Sequence, residues 1–89
     1  MTDIVAIGEP MVEFNQTVAR EPAYRQGFGG DTSNFCIAAS RQGAKTAYVT
    51  RLGDDAFGRM FLELWRRENI DVTGVGIDPA AYTAAYFVT

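Results

Sequence analysis

Hydrophobic residues recur along the chain at two periods, and each period predicts a different element. Residues 4–7, Ile-Val-Ala-Ile, form a short apolar run closed by Gly8, the mark of a buried strand. Residues 11–18, MVEFNQTV, alternate instead. Val12 and Phe14 fall on one face and Glu13 and Asn15 on the other, which predicts a half-exposed strand. Residues 19–26, AREPAYRQ, are polar with a proline and read as loop or edge. TSNFCIAASRQG reads as a helix: Asp31, Thr32 or Ser33 can cap it, Phe35, Ala38 and Ala39 share a face, and Gly43 stops it. Residues 46–50 predict a strand, and RLGDD a turn. Residues 56–69 carry the strongest helical signal, with Phe57, Met60, Phe61, Leu64 and Trp65 at i, i+3, i+4, i+7 and i+8. Asp54 or Asp55 can cap that helix and complement its positive end. IDVTGVGID reads as a short strand or bend, and residues 82–88 as a last strand.

The order is β, β, loop, α, β, α, β, β. Strand–helix–strand alternation with short connections implies parallel pairing and right-handed crossovers, hence an α/β fold. The final run, AAYFVT, stops with no turn or cap, so the chain is expected to be the N-terminal part of a longer protein. Alone it is expected to be unstable, with an open sheet edge and an uncovered helix face.

Composition narrows the function. The 89 residues are 47% hydrophobic and 21% charged, which is globular rather than disordered and suits one small domain. Net charge is −3, Lys45 is the only lysine, and the arginines are scattered apart from Arg66-Arg67. A nucleic-acid surface needs clustered positive charge, so that partner is not expected. No apolar stretch approaches the ~18 residues of a membrane span. The acidic opening MTDIVAIGEP is wrong for a signal peptide. A cytoplasmic setting without membrane contact is expected. Cys36 is the only cysteine and histidine is absent, so neither an intrachain disulfide nor a metal site is expected. Cys36 reads as a small buried hydrophobe, with no histidine to activate it.

The candidate chemistry lies in GFGGDTSNF, residues 27–35. The dinucleotide fingerprint G-x-G-x-x-G fails, because Thr32 stands at the third glycine and no buried strand precedes it. The P-loop fails as well, since Ala44 separates Gly43 from Lys45-Thr46. What remains is Gly-Gly ahead of a helix. Glycine lets a ligand approach the main chain, and the helix offers free N–H groups. Asp31 would repel an anion there, whereas Asp31, Thr32, Ser33 and Asn34 together suit hydroxyl groups. Two readings stay open at this point: a site for a polyhydroxy molecule, or an ordinary helix-entry turn.

GG-x-x-x-N before an apolar helix, then R-x-G-D-D-x-F-G, then N-I-D-V, resembles the N-terminal half of the ribokinase-like (PfkB-type) sugar kinases. GEPMVEFN and NFCIAA look most like the 2-keto-3-deoxygluconate kinases among them. The resemblance covers essentially the whole chain. It implies the N-terminal part of a doubly wound α/β fold with a small β-sheet lid. Residues 1–89 would be a fragment of one kinase domain, with lid strands at about residues 11–18 and 82–89. It also implies transfer of the ATP γ-phosphoryl group to a sugar hydroxyl, with a homo-oligomer formed through the lid.

By the same resemblance the sugar loop falls on Gly29 and Gly30, the helix-head asparagine on Asn34, and the lid aromatic on Tyr86. The acidic sugar ligand of ribose-type members falls on Glu13, one methylene longer than the usual aspartate. Each has a structural alternative: a turn for the glycines, a cap for Asn34, lid packing for Tyr86, a solvated strand face for Glu13. RLGDDAFG reads as structural. The family's catalytic aspartate sits in a GAGD motif that does not occur here. That base, the ATP and Mg2+ sites and the arginines for a substrate carboxylate are expected beyond Thr89. The chain alone is therefore expected to bind sugar without phosphorylating it. Fructose, ribose and nucleoside kinases share the loop and stand as alternative activities. A non-catalytic chain that binds sugar or pairs through its lid strands is the alternative from another class.

Overall fold

A computed structural model describes residues 1–89. Its elements are β1 (Ile4–Ile7), β2 (Met11–Gln16), β3 (Tyr24–Gly29), α1 (Asp31–Arg41), β4 (Thr46–Gly53), α2 (Ala56–Arg67), β5 (Val75–Asp78) and β6 (Ala85–Val88). They form two three-stranded sheets. The first has the order β1-β4-β5 and is all parallel, with Ile4 beside Thr46 and Thr50 beside Val75. The second has the order β3-β2-β6, antiparallel between β2 and β3 and parallel between β2 and β6.

Both helices cover the same face of the first sheet. Ala6, Thr46, Tyr48 and Leu52 point into that layer and are buried. Val5 and Ile7 point the other way and are 58% and 75% exposed. The apolar run of β1 is therefore covered on one face only, where its composition predicted burial on both. The molecule is a slab of 48 × 32 × 18 Å, thin because one helix layer lies on one sheet layer.

Helix α2 forms as its periodicity predicts. Asp55 is its N-cap, with Oδ1 accepting from Gly58 N at 2.7 Å. Phe61 and Trp65 are fully buried, and Phe57 and Leu64 pack beside them. The stripe reaches both sheets. Phe57 meets Phe14 of β2 edge-on at 5.7 Å, Phe61 meets Phe28 of β3 at 5.1 Å, and Trp65 meets Tyr48 of β4 at 4.8 Å.

Helix α1 departs from its predicted face. Ser33 and Cys36 are the buried residues, while Phe35 is 53% exposed. Burial of Cys36 raises its thiol pKa, consistent with an inert core residue. The cap differs too: Gly30 holds the N-cap position with no side-chain hydrogen bond, and Asp31 is already the first helical residue. Gly43 stops the helix as expected, at φ +96°. Residues 19–26 were expected as loop or edge and residues 51–55 as a turn; the structure makes strand in part of each. Residues 24–29 pair with β2 as an edge strand, and β4 continues through Arg51–Leu52–Gly53.

The chain exposes 5792 Å2, against roughly 5,200 Å2 for a compact monomer of its mass. Val5, Ile7 and Val49 belong to an uncovered apolar sheet face. The 89-residue chain by itself is expected to unfold without a cooperative transition, or to self-associate through that face. Differential scanning calorimetry with sedimentation velocity checks this; a sharp melt of a monomer contradicts it.

Candidate functional site

Strand pairing sets the site's first row. In the second sheet Glu13 on β2 lies between Gly27 on β3 and Tyr86 on β6. Paired residues share a sheet face, so these three project to one side. Val12, Phe14 and their partners Phe28 and Phe87 project to the other, toward α2. The Tyr86 hydroxyl donates to Glu13 Oε1 at 2.6 Å. That bond lowers the Glu13 carboxyl pKa from its ordinary 4.5 and raises that of the tyrosine.

Gly29 sits one step along β3. A Cβ there would lie 2.7 Å from the Tyr86 hydroxyl and 2.8 Å from its ring edge. Glycine at 29 is thus what lets Tyr86 lie across the strand. Gly30 turns the corner into α1 at φ +99°, a conformation that favours glycine. A Cβ there would also meet Glu9 O and Pro10 Cα at 2.9 Å. Of the three glycines in the stretch, Gly27 and Gly29 belong to a strand and Gly30 alone makes the turn.

Four predicted residues, Glu13, Gly29, Gly30 and Tyr86, are brought together. Asn34 stands in the first turn of α1, its N–H bonded to Gly30 O at 3.0 Å and its side chain exposed. Asp31, one turn before it, is close enough for its charge to add to the rise in the Tyr86 pKa. Thr32 and Ser33 face inward instead. Thr32 Oγ1 shares a 2.5 Å hydrogen bond with the Tyr48 hydroxyl, and buried Ser33 Oγ accepts from Trp65 Nε1 at 2.9 Å. A buried indole N–H needs an acceptor, and Ser33 supplies it. The outward-facing polar set of this stretch shrinks to Asp31 and Asn34.

An open cleft of about 800 Å3 adjoins this row, beyond the carboxyl end of β1 and beside the middle of β4, where Ile7 and Val49 of the uncovered sheet face line it. Gly8, Glu9, Arg51, Tyr82 and Thr83 are among its lining residues. It borders the first row through Glu9–Pro10, the same backbone that packs on Gly30. None of the five predicted residues lines it. The signal that could have found it is topological: parallel α/β sheets bind ligands beyond the carboxyl ends of their strands.

Comparison with known proteins decides the family. The model of the pfkB family carbohydrate kinases matches residues 1–89. The chain belongs to that family. It is 40% identical over 92 residues to a 2-dehydro-3-deoxygluconokinase from Thermoproteus tenax, covering 99% of this chain and 28% of that protein. A fructokinase from Halothermothrix orenii superposes with a TM-score of 0.90 at 32% identity, over 96% of this chain and 32% of that one. A sugar kinase from Pyrococcus horikoshii, solved in complex with ATP, superposes at 0.89 with 26% identity, over 94% and 29%. The chain spans less than a third of the length of these relatives. The architecture is the α/β ribokinase-like fold of pfkB kinases, matched over that part.

No helix is long and apolar enough to cross a membrane, and no group of acidic, cysteine or histidine side chains converges on a common point.

The Tyr86–Glu13 bond has a measurable signature. Because the Glu13 pKa is depressed, the bond stabilises the fold above about pH 4.5, and that contribution fades as pH falls through the lowered value. Tyr86→Phe and Gly29→Ala both return the Glu13 carboxyl toward 4.5. Carboxyl 13C NMR titration checks this; an unmoved Glu13 in both variants refutes the geometry.

Proposed function

We propose that the full-length protein phosphorylates a hydroxyl of a sugar or sugar acid with ATP, and that its preferred acceptor is 2-keto-3-deoxygluconate. The carrying observation is the Tyr86–Glu13 pair laid over Gly29 beside the Gly30 corner, in a pfkB chain. Gly29 makes room for Tyr86, and Gly30 turns the chain so that the head of α1 stands beside it. Glu13 accepts from hydroxyls, Tyr86 stacks on the ring or bonds to it, and Asn34 both donates and accepts. Asp31 and Glu13 place negative charge on this side, which suits hydroxyls and disfavours a bound phosphate.

ATP is the proposed donor, with Mg2+ beside it, as the family's use of ATP supports. The nearest thing to a phosphate site in this chain is the head of α1, and Asp31 in its first turn makes it a poor fit. No residue of this chain is therefore assigned to the nucleotide, the metal or the catalytic base. Pairing of two copies through the second sheet is proposed for the assembly, because β6 presents exposed Phe87 and Val88.

The sugar-acid preference rests on the Thermoproteus relative and the GEPMVEFN and NFCIAA stretches. A neutral ketose such as fructose is the second reading, and one observation favours it. Glu13 is held ionised at neutral pH, and a carboxylate repels the carboxylate of a sugar acid.

An ADP-coupled assay of the full-length enzyme on 2-keto-3-deoxygluconate, fructose, ribose and adenosine separates the readings. The first is expected to give the highest kcat/KM. Preference for fructose establishes the second reading, and turnover of none of them refutes kinase activity on these acceptors. Asn34→Ala is expected to raise the sugar KM up to ~10-fold, the scale of one lost hydrogen bond, with the ATP KM unchanged.

A further inference from the structure

The motif Gly53-Asp-Asp-Ala-Phe-Gly58 is more than a turn and a helix cap. Asp55 Oδ1 accepts from Gly58 N at 2.7 Å and from the Thr83 hydroxyl at 2.8 Å, while Oδ2 accepts from Thr83 N at 2.8 Å. The Thr83 oxygen in turn accepts from Gly53 N at 3.0 Å. One carboxylate therefore joins the end of β4, the head of α2 and the segment that enters β6. Thr83 is buried, so these bonds are not readily traded for water.

Both glycines of the motif are shaped by that joint. A Cβ on Gly53 would lie 2.6 Å from Ala81 O, from Asp55 Oδ2 and from Thr83 N. A Cβ on Gly58 would run into Gly53 O and sit 3.1 Å from Thr83 Oγ1. Burial raises the Asp55 pKa, but its bonds from Thr83 and Gly58 outweigh this, so the carboxyl stays ionised.

The chain runs from Thr83 to Tyr86 with little freedom. Ala84 O accepts from Val12 N at 2.8 Å, and Ala85 then pairs with Val12. Tyr86 follows, laid over Gly29 and bonded to Glu13. We infer that Asp55, through Thr83, is a positioning residue for sugar recognition: it fixes where the chain leaves the first sheet to enter β6 and so holds Tyr86 against Glu13. This rests on the sugar-binding role proposed above for Tyr86.

Asp55→Asn in the full-length enzyme separates this role from capping, because asparagine caps a helix as well as aspartate does. With its oxygen on Gly58 N, its amide meets the Thr83 N–H donor to donor. The expected result is a ~10-fold rise in sugar KM, the scale of losing a charge-assisted hydrogen bond, with kcat and ATP KM within ~2-fold. In a Tyr86→Ala background the same substitution is expected to change sugar KM by less than ~2-fold, since coupled residues are not additive. Thr83→Val is expected to raise sugar KM and Thr83→Ser to hold it. Full additivity with Tyr86→Ala, or an equal rise in ATP KM, overturns the inference.

A second arm needs no substrate. In Asp55→Asn the Glu13 carboxyl, read by 13C NMR, is expected to move up toward 4.5 as Tyr86 withdraws. A Glu13 pKa that stays at the wild-type value overturns the inference even if no sugar is turned over. A wild-type enzyme inactive on every sugar, with Glu13 shifting as expected, refutes the kinase assignment and leaves the joint standing.

Discussion

The structure depends on helix α2 being packed against two sheets at once. Its aromatic stripe meets Phe14 and Phe28 in one sheet and Tyr48 in the other. Each such pair contributes about 0.5–1.5 kcal/mol beyond the area it buries. More important is what the packing fixes. The parallel sheet carries the cleft beyond the end of β1, and the other sheet carries Glu13, Gly29 and Tyr86. A shift of α2 by one turn, about 5.4 Å, would misplace one set against the other by more than a hydrogen bond can span.

That packing explains why the polar run Asp31 to Asn34 is not a uniform ligand surface. Burying Trp65 and Tyr48 in one layer places an indole N–H and a phenol out of water, and each costs free energy unless paired. Ser33 and Thr32 meet that demand. Ser40 and Thr46 do the same for each other at 2.6 Å, and no buried side-chain polar atom is left unpaired. Of this run α1 turns only Asp31 and Asn34 outward to solvent. The acidic pair Asp31 and Glu13 then sets the character of the site. Glu13 is held by a neutral phenol rather than a cation, so its charge is not cancelled and it remains an acceptor for hydroxyls.

How much of this was legible in the sequence follows from range. Helix α2 was legible because an unbroken 3.6-residue period is a local signal and the aspartate cap adjoins it. Strand β3 was not, because Arg25, Gln26, Gly27 and Gly29 have little strand propensity, and its pairing with β2 supplies the order instead. The face of α1 was misread because Phe35 is the largest apolar residue near its start, yet the core needed the hydroxyl of Ser33 more than a second ring. At the site, Gly29, Gly30 and Asn34 were legible as a cluster in sequence. The bond between Glu13 and Tyr86 spans 73 positions and exists through strand register, which a residue pattern does not encode.

The motif around Asp55 shows how a residue can be legible in one role and hidden in another. An aspartate three residues before Gly58 reads as a cap, and it is one. A cap uses one carboxylate oxygen. The other was free to take a second partner, and Thr83 reaches it from 28 positions away. The close approach of that segment leaves no room for side chains at 53 and 58, so the glycines that look like flexibility are the signature of a tight joint. A side chain that must find its position after a ligand arrives spends binding energy on ordering itself. In the role proposed for Tyr86, the bonds at Thr83 on one side and at Glu13 on the other would remove that cost.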